Sequence, residues 1–383
     1  MFSQKLICKI LDQAESSAAH SWEYSTIFNA HIEYHNAPQS IYNDPFPHGR
    51  IQESGEDENS GLKYVKQFIL TEGDCLCEGN GSSSDPTSLL IPALLLGASS
   101  TSSGEIYIPV VQRQLHTILN LTPRFPNNAI SHRDAYPSLW ADFVYMVPPA
   151  LAYYSVVKDE DLYLRDAVRQ CELYHDVLGT ESGCWKHIVN ANDLRGYTGH
   201  VKTDEGLWST SNGWVAAGMA RVLATIRKSR FVEAMAKEQK SLASMIKGIL
   251  DGVMVLDADP SGLLRNRLGD ETWFGEAAGT ALLAASAFRM AVLEPDVFGT
   301  RYSDWAMRKW EVVKRCVDEE TGIVAPVVNP TKDEQRTPLK GVSPEAQAFV
   351  VMLYAARQDW ERAKEKMTQR NRQANNVESG HQS

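Results

Sequence analysis

Long apolar runs are missing from this 383-residue chain. No stretch reaches the roughly 18–20 uninterrupted apolar residues that span a bilayer, so no membrane helix and no membrane partner are expected. Basic excess is missing as well. Asp and Glu number 48 against 38 Lys and Arg, a formal charge of −10 that argues against a nucleic-acid or anionic-lipid surface. Cysteine is sparse: six residues are scattered, and only Cys75 and Cys77 stand close. A lone C-x-C pair without a second cluster is a weak zinc signal, so these read as reduced thiols. The opening MFSQKLICKILDQAESS puts Lys5, Lys9 and Asp12 where a secretory signal needs an apolar core, so a cytoplasmic protein is expected. A P-loop, G-x-G-x-x-G after a strand, G-x-S-x-G and H-E-x-x-H are all absent. Nucleotide-driven and zinc-protease chemistry therefore have no support.

What is present is an ordinary globular composition, 43% hydrophobic and 22% charged, carrying a long repeat. WEYSTIFNAHIEY, DPTSLLIPALLLGA, DFVYMVPPALAYYSVV, NGWVAAGMARVLATI, EAAGTALLAASAFRMAV and EAQAFVVMLYAAR begin at Trp22, Asp85, Asp142, Asn212, Glu276 and Glu345. Each has a polar or aromatic start and then an apolar, helix-compatible run, as a buried helix requires. Between them lie charged segments such as DEDLYLRDAVRQCELYHDVLG, whose apolar residues recur at three- and four-residue spacings. Outer amphipathic and inner apolar helices in sixfold alternation predict an all-α (α/α)6 barrel over residues 1–368, although an open helical solenoid shares the local pattern. TESGCWKH, DPSGLLRN and EETGIVAP carry a glycine read as the left-handed stop of an outer helix. CEGNGSSSDP reads as a flexible rim loop, and residues 369–383 as a disordered polar tail.

If the inner helices start at one face, that face gathers Asp85, Asp142, Asn212, Glu276 and Glu345. Around them fall His132, Tyr136, Trp140, Tyr145, Met146, His187, Trp208 and Trp214. Flat apolar rings with polar edges suit a carbohydrate or other ring-bearing ligand. Asp142 stands among Trp140, Phe143, Tyr145 and Met146, and a poorly solvated carboxyl is suited to giving up a proton near neutral pH. The plainer reading of Asp142 is a helix-start aspartate facing water; Glu276 and Glu345 are read as helix-end carboxylates favoured by the helix dipole. His187 fits ligand contact and a structural role equally.

The ordered pieces HRDAYPSLWADFVYM, GCWKH, LWSTSNGWVAAGMARVL, WFGEAAGTALLA and SPEAQAF resemble the unsaturated rhamnogalacturonyl hydrolases, which belong with the unsaturated glucuronyl hydrolases among six-hairpin glycosidases. The resemblance runs from about Trp22 to Asp359 and is most specific at Tyr136-Pro137, Trp140-x-Asp142 and Tyr145-Met146. It implies the (α/α)6 barrel independently. It also implies removal of a 4,5-unsaturated uronic acid from an oligosaccharide: an aspartate protonates the ring alkene, water adds, and the hemiketal collapses. By this resemblance Asp142 is the proton donor, Asp85 the second acid, His187 and His132 substrate contacts, and no metal or organic cofactor is needed.

Two departures bear on the substrate. Where the family has an arginine expected to pair with the uronate, this chain has Thr210, within WSTSNGW beside Asn212; where the family reads E-T-S-G-T, it has EAAGT. Both make the pocket less suited to an anion. A cation arriving from elsewhere, such as Arg133, Arg195 or Lys202, would restore the uronate. Three functions stay open: hydrolysis of unsaturated uronides, acid-promoted isomerisation, cyclisation or dehydration of a less polar metabolite, and binding on a catalytically silent scaffold. The partner in each is a small molecule or oligosaccharide; a homodimer is compatible with the sequence.

Overall fold

The computed structural model describes residues 2–52, 59–98 and 104–380. Outer and inner helices alternate along the chain. Outer α1 (Gln4–Ser17) precedes inner α2 (Ser21–Tyr34), and α3 (Ser60–Val65) precedes α4 (Ser84–Thr87) and α5 (Leu90–Gly97). Next, α6 (Tyr107–His116) leads to α7 (Phe143–Met146) and α8 (Pro148–Val157), and α9 (Leu162–Leu178) to α10 (Ser209–Lys228). The last pairs are α11 (Ala236–Val255) with α12 (Ala277–Leu293) and α13 (Thr300–Arg315) with α14 (Pro344–Gly380).

Burial follows the sequence pattern. α9 buries Leu164, Ala167, Val168, Cys171, Tyr174 and Leu178, one stripe of an otherwise polar helix. α10 is buried continuously from Ser209 to Ile226. The inner helices pack in order, α2 on α4, α5 on α8, α8 on α10, α10 on α12, α12 on α14, and α14 returns to α2. That last contact closes the ring and decides for the (α/α)6 barrel over an open solenoid. Among the described residues no helix is long and apolar enough to cross a membrane, and all six cysteines are free.

Local details depart from expectation where hydrogen bonding overrides hydropathy. Two inner helices are broken. Pro148 and Pro149 lack the amide protons needed to continue α7, so the chain restarts as α8. α4 is likewise a single turn before α5. The glycines of the three connecting segments do have positive φ: Gly183 +86°, Gly262 +81° and Gly322 +79°. They do not cap outer helices, which end several residues earlier. Instead they complete turns, with Gly183 N–H donating to Thr180 O (2.9 Å) and Gly262 N–H to Asp259 O (2.9 Å). The Gly/Ser rim segment is tethered: Ser83 N–H donates to His132 O at 2.8 Å and Ser83 Oγ to Ser131 O at 2.6 Å. Finally, α14 continues through residue 380, in place of the irregular tail expected from 369; residues 369–380 contain no proline, and Gln, Arg, Ala and Glu there are good helix formers. Residues 381–383 lie outside the described residues.

One close approach ties the ring to the site. Gly218 of α10 lies against the backbone just after Asp142, and a methyl group there would overlap Val144 O and come within 2.8 Å of Tyr145 Cα. Gly218→Ala is expected to cost about 1–3 kcal/mol, the usual range for forced overpacking, measured by urea unfolding.

Candidate active site

Pairing of short strands builds the site. β1 (Ser138–Trp140) is antiparallel to β2 (Ile188–Asn190), with Trp140 opposite Ile188. The ladder continues one residue further, Ala141 N–H donating to His187 O at 2.9 Å, so Asp142 and His187 emerge side by side. Ile188 bridges Asp204 on its other side, and Trp208 bridges Arg267. A second small sheet, β3 (Leu264–Arg265) with β4 (Gly275–Glu276), supports that last segment.

These contacts place one imidazole among three carboxylates. His187 Nε2 is 3.2 Å from Asp142 Oδ2, while Nδ1 is 2.8 Å from Asp204 Oδ2 and 3.5 Å from Asp333 Oδ2. Arg267 closes the far side, 2.7 Å from Asp204 and 2.6 Å from Asp333, and Lys202 pairs with Asp333. Burial alone would lower the pKa of His187, but Asp142 first and then Asp204 and Asp333 raise it to about 10. Asp333 is pushed down: burial opposes ionisation, and the His187 and Lys202 charges more than offset it. His187, Asp204 and Asp333 bring ligand atoms within 4.8 Å of one another, the spacing of a metal site. Arg267 and Lys202 already supply the positive charge there, so a dication would have to displace them.

The residues that start α2, α4, α7, α10 and α14 converge on one cavity of about 400 Å³, within the usual range of small-ligand sites. Helix N-termini pointing there favour negative groups. Of the residues singled out in the sequence, Asp85, Asp142, His132, Trp140, Met146, His187, Trp208 and Trp214 line it. His20, Trp22, Gly79, Asn80, Arg133, Lys202, Pro330, Thr331 and Glu345 complete the wall.

The carboxyl groups differ in their surroundings. Asp142 Oδ2 is buried and, despite the nearby imidazole, takes no aligned hydrogen bond among the described residues. Asp85 accepts from Ser84 Oγ at 3.3 Å; burial first, opposed by its Ser82 hydrogen bond and helped by the Asp142 charge, raises its pKa to about 6. His132 stacks on Trp140 at 4.6 Å with its Nδ1 2.8 Å from Ser84 Oγ, and burial lowers its pKa to about 3, so it is uncharged.

Four expected contacts do not line the cavity. Tyr136 packs on Tyr197 with ring centroids 4.5 Å apart. Tyr145 packs against Trp214, and its hydroxyl accepts from Asn29 Nδ2 at 3.1 Å. The Asn212 carboxamide clamps the Trp185 peptide, accepting from its N–H at 2.8 Å and donating to its carbonyl at 3.0 Å. It thus positions the segment that carries His187. Thr210 is 0% exposed, with Oγ1 3.5 Å from Glu276 Oε1, so the position of the missing arginine does not face the ligand space. Arg195 points elsewhere, 3.3 Å from Arg124 O. Asp204, Arg267 and Asp333 were not foreseen: each lies in a charged loop (KTDEG, RNRLGD, PTKDEQ) that reads locally as solvated. Trp22 had a signal, since it opens the first inner helix.

The geometry defines an (α/α)6 protein with an acid-bearing, aromatic cavity at its inner-helix N-termini. Residues 63–359 match Glycosyl Hydrolase Family 88, and the chain belongs to that family. No curated protein matches the sequence. Among solved structures, a possible member of family GH105 from Klebsiella pneumoniae superposes with TM-score 0.70 at 16% identity, covering 92% of each chain. A family 105 glycoside hydrolase from C. acetobutylicum gives 0.68 at 14% identity, covering 94% of this chain and 99% of its own. An unsaturated glucuronyl hydrolase specific for heparin gives 0.58 at 10% identity, covering 93% and 96%. At such identities the likeness speaks for the fold.

The raised pKa of His187 sets a pH signature. Its stabilising contribution is complete below its unfolded value near 6.5 and disappears as pH rises through about 10. His187→Gln is therefore expected to cost about 3 kcal/mol near pH 6, as for breaking a buried ion pair, and progressively less towards pH 10, measured by denaturant melts across that range.

Proposed function

We propose that this protein hydrolyses glycosides ending in a 4,5-unsaturated uronic acid, with Asp142 transferring the proton and Asp85 assisting. The observation that carries the reading is the Asp142 carboxyl in the cavity wall, one oxygen without a hydrogen bond and 3.2 Å from a protonated His187.

The chemistry follows from the enol ether. A proton placed on C4 leaves positive charge at C5, where the ring oxygen stabilises it. The donor form carries the proton on Asp142 while His187 keeps its charge against Asp204 and Asp333; after transfer the Asp142 carboxylate faces the positive C5 and the imidazolium. Water then adds at C5 and returns its proton to Asp142. The resulting hemiketal opens and expels the aglycone, so the acid is regenerated. His187 is a positioning residue in this scheme, held by Asp204 and Asp333.

Charge in the cavity supports the anionic substrate over a less polar one. Arg133 and Lys202 both line it, and each approaches the Trp140 ring, at 5.8 and 5.5 Å from its centroid. Arg133 Nε is buried without a hydrogen-bond partner among the described residues. The two cations supply what Thr210 does not, a charge for the uronate carboxylate. Membership of a glycosyl hydrolase family and the fold shared with an unsaturated glucuronyl hydrolase agree with this assignment.

The test follows loss of the conjugated-uronate absorbance on unsaturated disaccharides prepared with pectin and glycosaminoglycan lyases. Wild-type protein is expected to bleach at least one of them, and Asp142→Asn to be slower by about 10²–10⁴-fold. Failure of the folded wild type on all of them would sink the assignment. Arg133→Met is expected to raise KM for the free acid about tenfold, the cost of one charge-assisted contact, and to change little for its methyl ester.

A further inference from the structure

Glu276 and Glu345 stand in matching places, each at the opening of an inner helix. The structure separates them. Glu276 is a helix cap: its carboxylate accepts from the N–H groups of Ala278 and Gly279, both at 2.7 Å, and from Ser209 Oγ at 2.9 Å. Glu23, in the first turn of α2, is used in the same way by the N–H groups of Ala19 and His20, at 2.7 and 2.9 Å. Glu345, in the first turn of α14, is 1% exposed and lines the cavity, yet its Oε1 has no hydrogen-bond partner among the described residues. The neighbouring Ala346 N–H is served by Ser343 Oγ at 3.4 Å instead. A buried carboxyl oxygen that the fold leaves unused is costly unless a ligand takes it up.

The groups facing Glu345 are acidic. Glu23 comes from α2, Asp142 precedes α7, and Glu276 precedes α12; no cation forms an ion pair with Glu345 among the described residues. Burial, followed by those three negative charges and opposed by a hydrogen bond from the Trp22 side chain, pushes its pKa well above the usual glutamate value. A neutral carboxylic acid can donate a hydrogen bond, and it does not repel an incoming anion as an ionised one would.

We propose that Glu345 is a substrate-binding residue, a buried carboxyl on the cavity wall whose unpaired oxygen hydrogen-bonds to the bound sugar acid beside Asp142. This rests on the uronide reading for the identity of the ligand, while the buried, unpaired Oε1 stands apart from it. The role also explains why α14 places a glutamate here when Ser343 already serves its first turn.

Two substitutions and a spectrum test it. Glu345→Leu, similar in size but unable to hydrogen bond, should raise KM for the unsaturated disaccharide about 10–100-fold, as expected for losing one buried contact, with a smaller fall in kcat. Glu345→Gln, a neutral donor, should recover most of that loss. An unchanged KM in folded Glu345→Leu, or a glutamine variant as impaired as the leucine one, would overturn the proposal. Infrared difference spectra of wild type minus Glu345→Gln at pH 7, without substrate, should show the carbonyl stretch of a protonated acid. Carboxylate bands in its place would also overturn it. If wild-type protein consumes no unsaturated uronide, the hydrolase reading fails, and the infrared band alone decides for or against Glu345 as a neutral donor.

Discussion

A protonated imidazole enclosed by carboxylates organises the top of this barrel. Burial by itself would keep His187 neutral, and three carboxylates brought together would repel one another. Each problem answers the other. Asp142, Asp204 and Asp333 hold the charge on His187, and Arg267 and Lys202 balance the carboxylates that His187 leaves over. With three acids and three cations the cluster is close to neutral, which is what makes its burial tolerable. Five separate stretches of chain meet in it, so their mutual positions depend on it, and so does the aim of Asp142 into the cavity.

The ring of inner helices contributes a second constraint. Helix starts converging on one space bring unsatisfied N–H groups and positive dipole ends, and acidic side chains are the natural occupants. The fold consumes some of these carboxylates and leaves others. Glu23 accepts from two backbone N–H groups, and Glu276 from two N–H groups and a hydroxyl, whereas Asp142 and Glu345 each have an oxygen with no hydrogen bond among the described residues. That distinction, not acidity or position along the helix, separates two sets of otherwise similar helix-start carboxyls. It also separates Asn212, whose amide is committed to the Trp185 peptide, from the residues of the cavity wall.

Membership of Glycosyl Hydrolase Family 88 and low-identity likeness to family 105 structures leave the charge of the cavity to be read from this chain's own residues. Thr210 is buried beside Glu276, and positive charge enters the cavity from Arg133 and Lys202 on other segments. A ligand responds to where a charge is, not to which helix carries it.

The sequence by itself determined the architecture. A hydrophobic repeat of roughly 64 residues, apolar inner segments and one-sided outer ones are local properties of composition and period, and helices form in response to them. It also pointed to Asp85 and Asp142 as helix-start acids, and both line the cavity. Only the tertiary structure decided which polar groups are free. Asp204, Arg267 and Asp333 look like solvated loop charges until the β1–β2 ladder and the loops beyond it bring them around His187. Thr210, Tyr136, Tyr145 and Asn212 look like pocket residues until their partners appear on distant segments. The difference is physical: helix formation reads periods of three and four residues, whereas the use of a hydrogen-bonding or charged group depends on neighbours tens or hundreds of residues away.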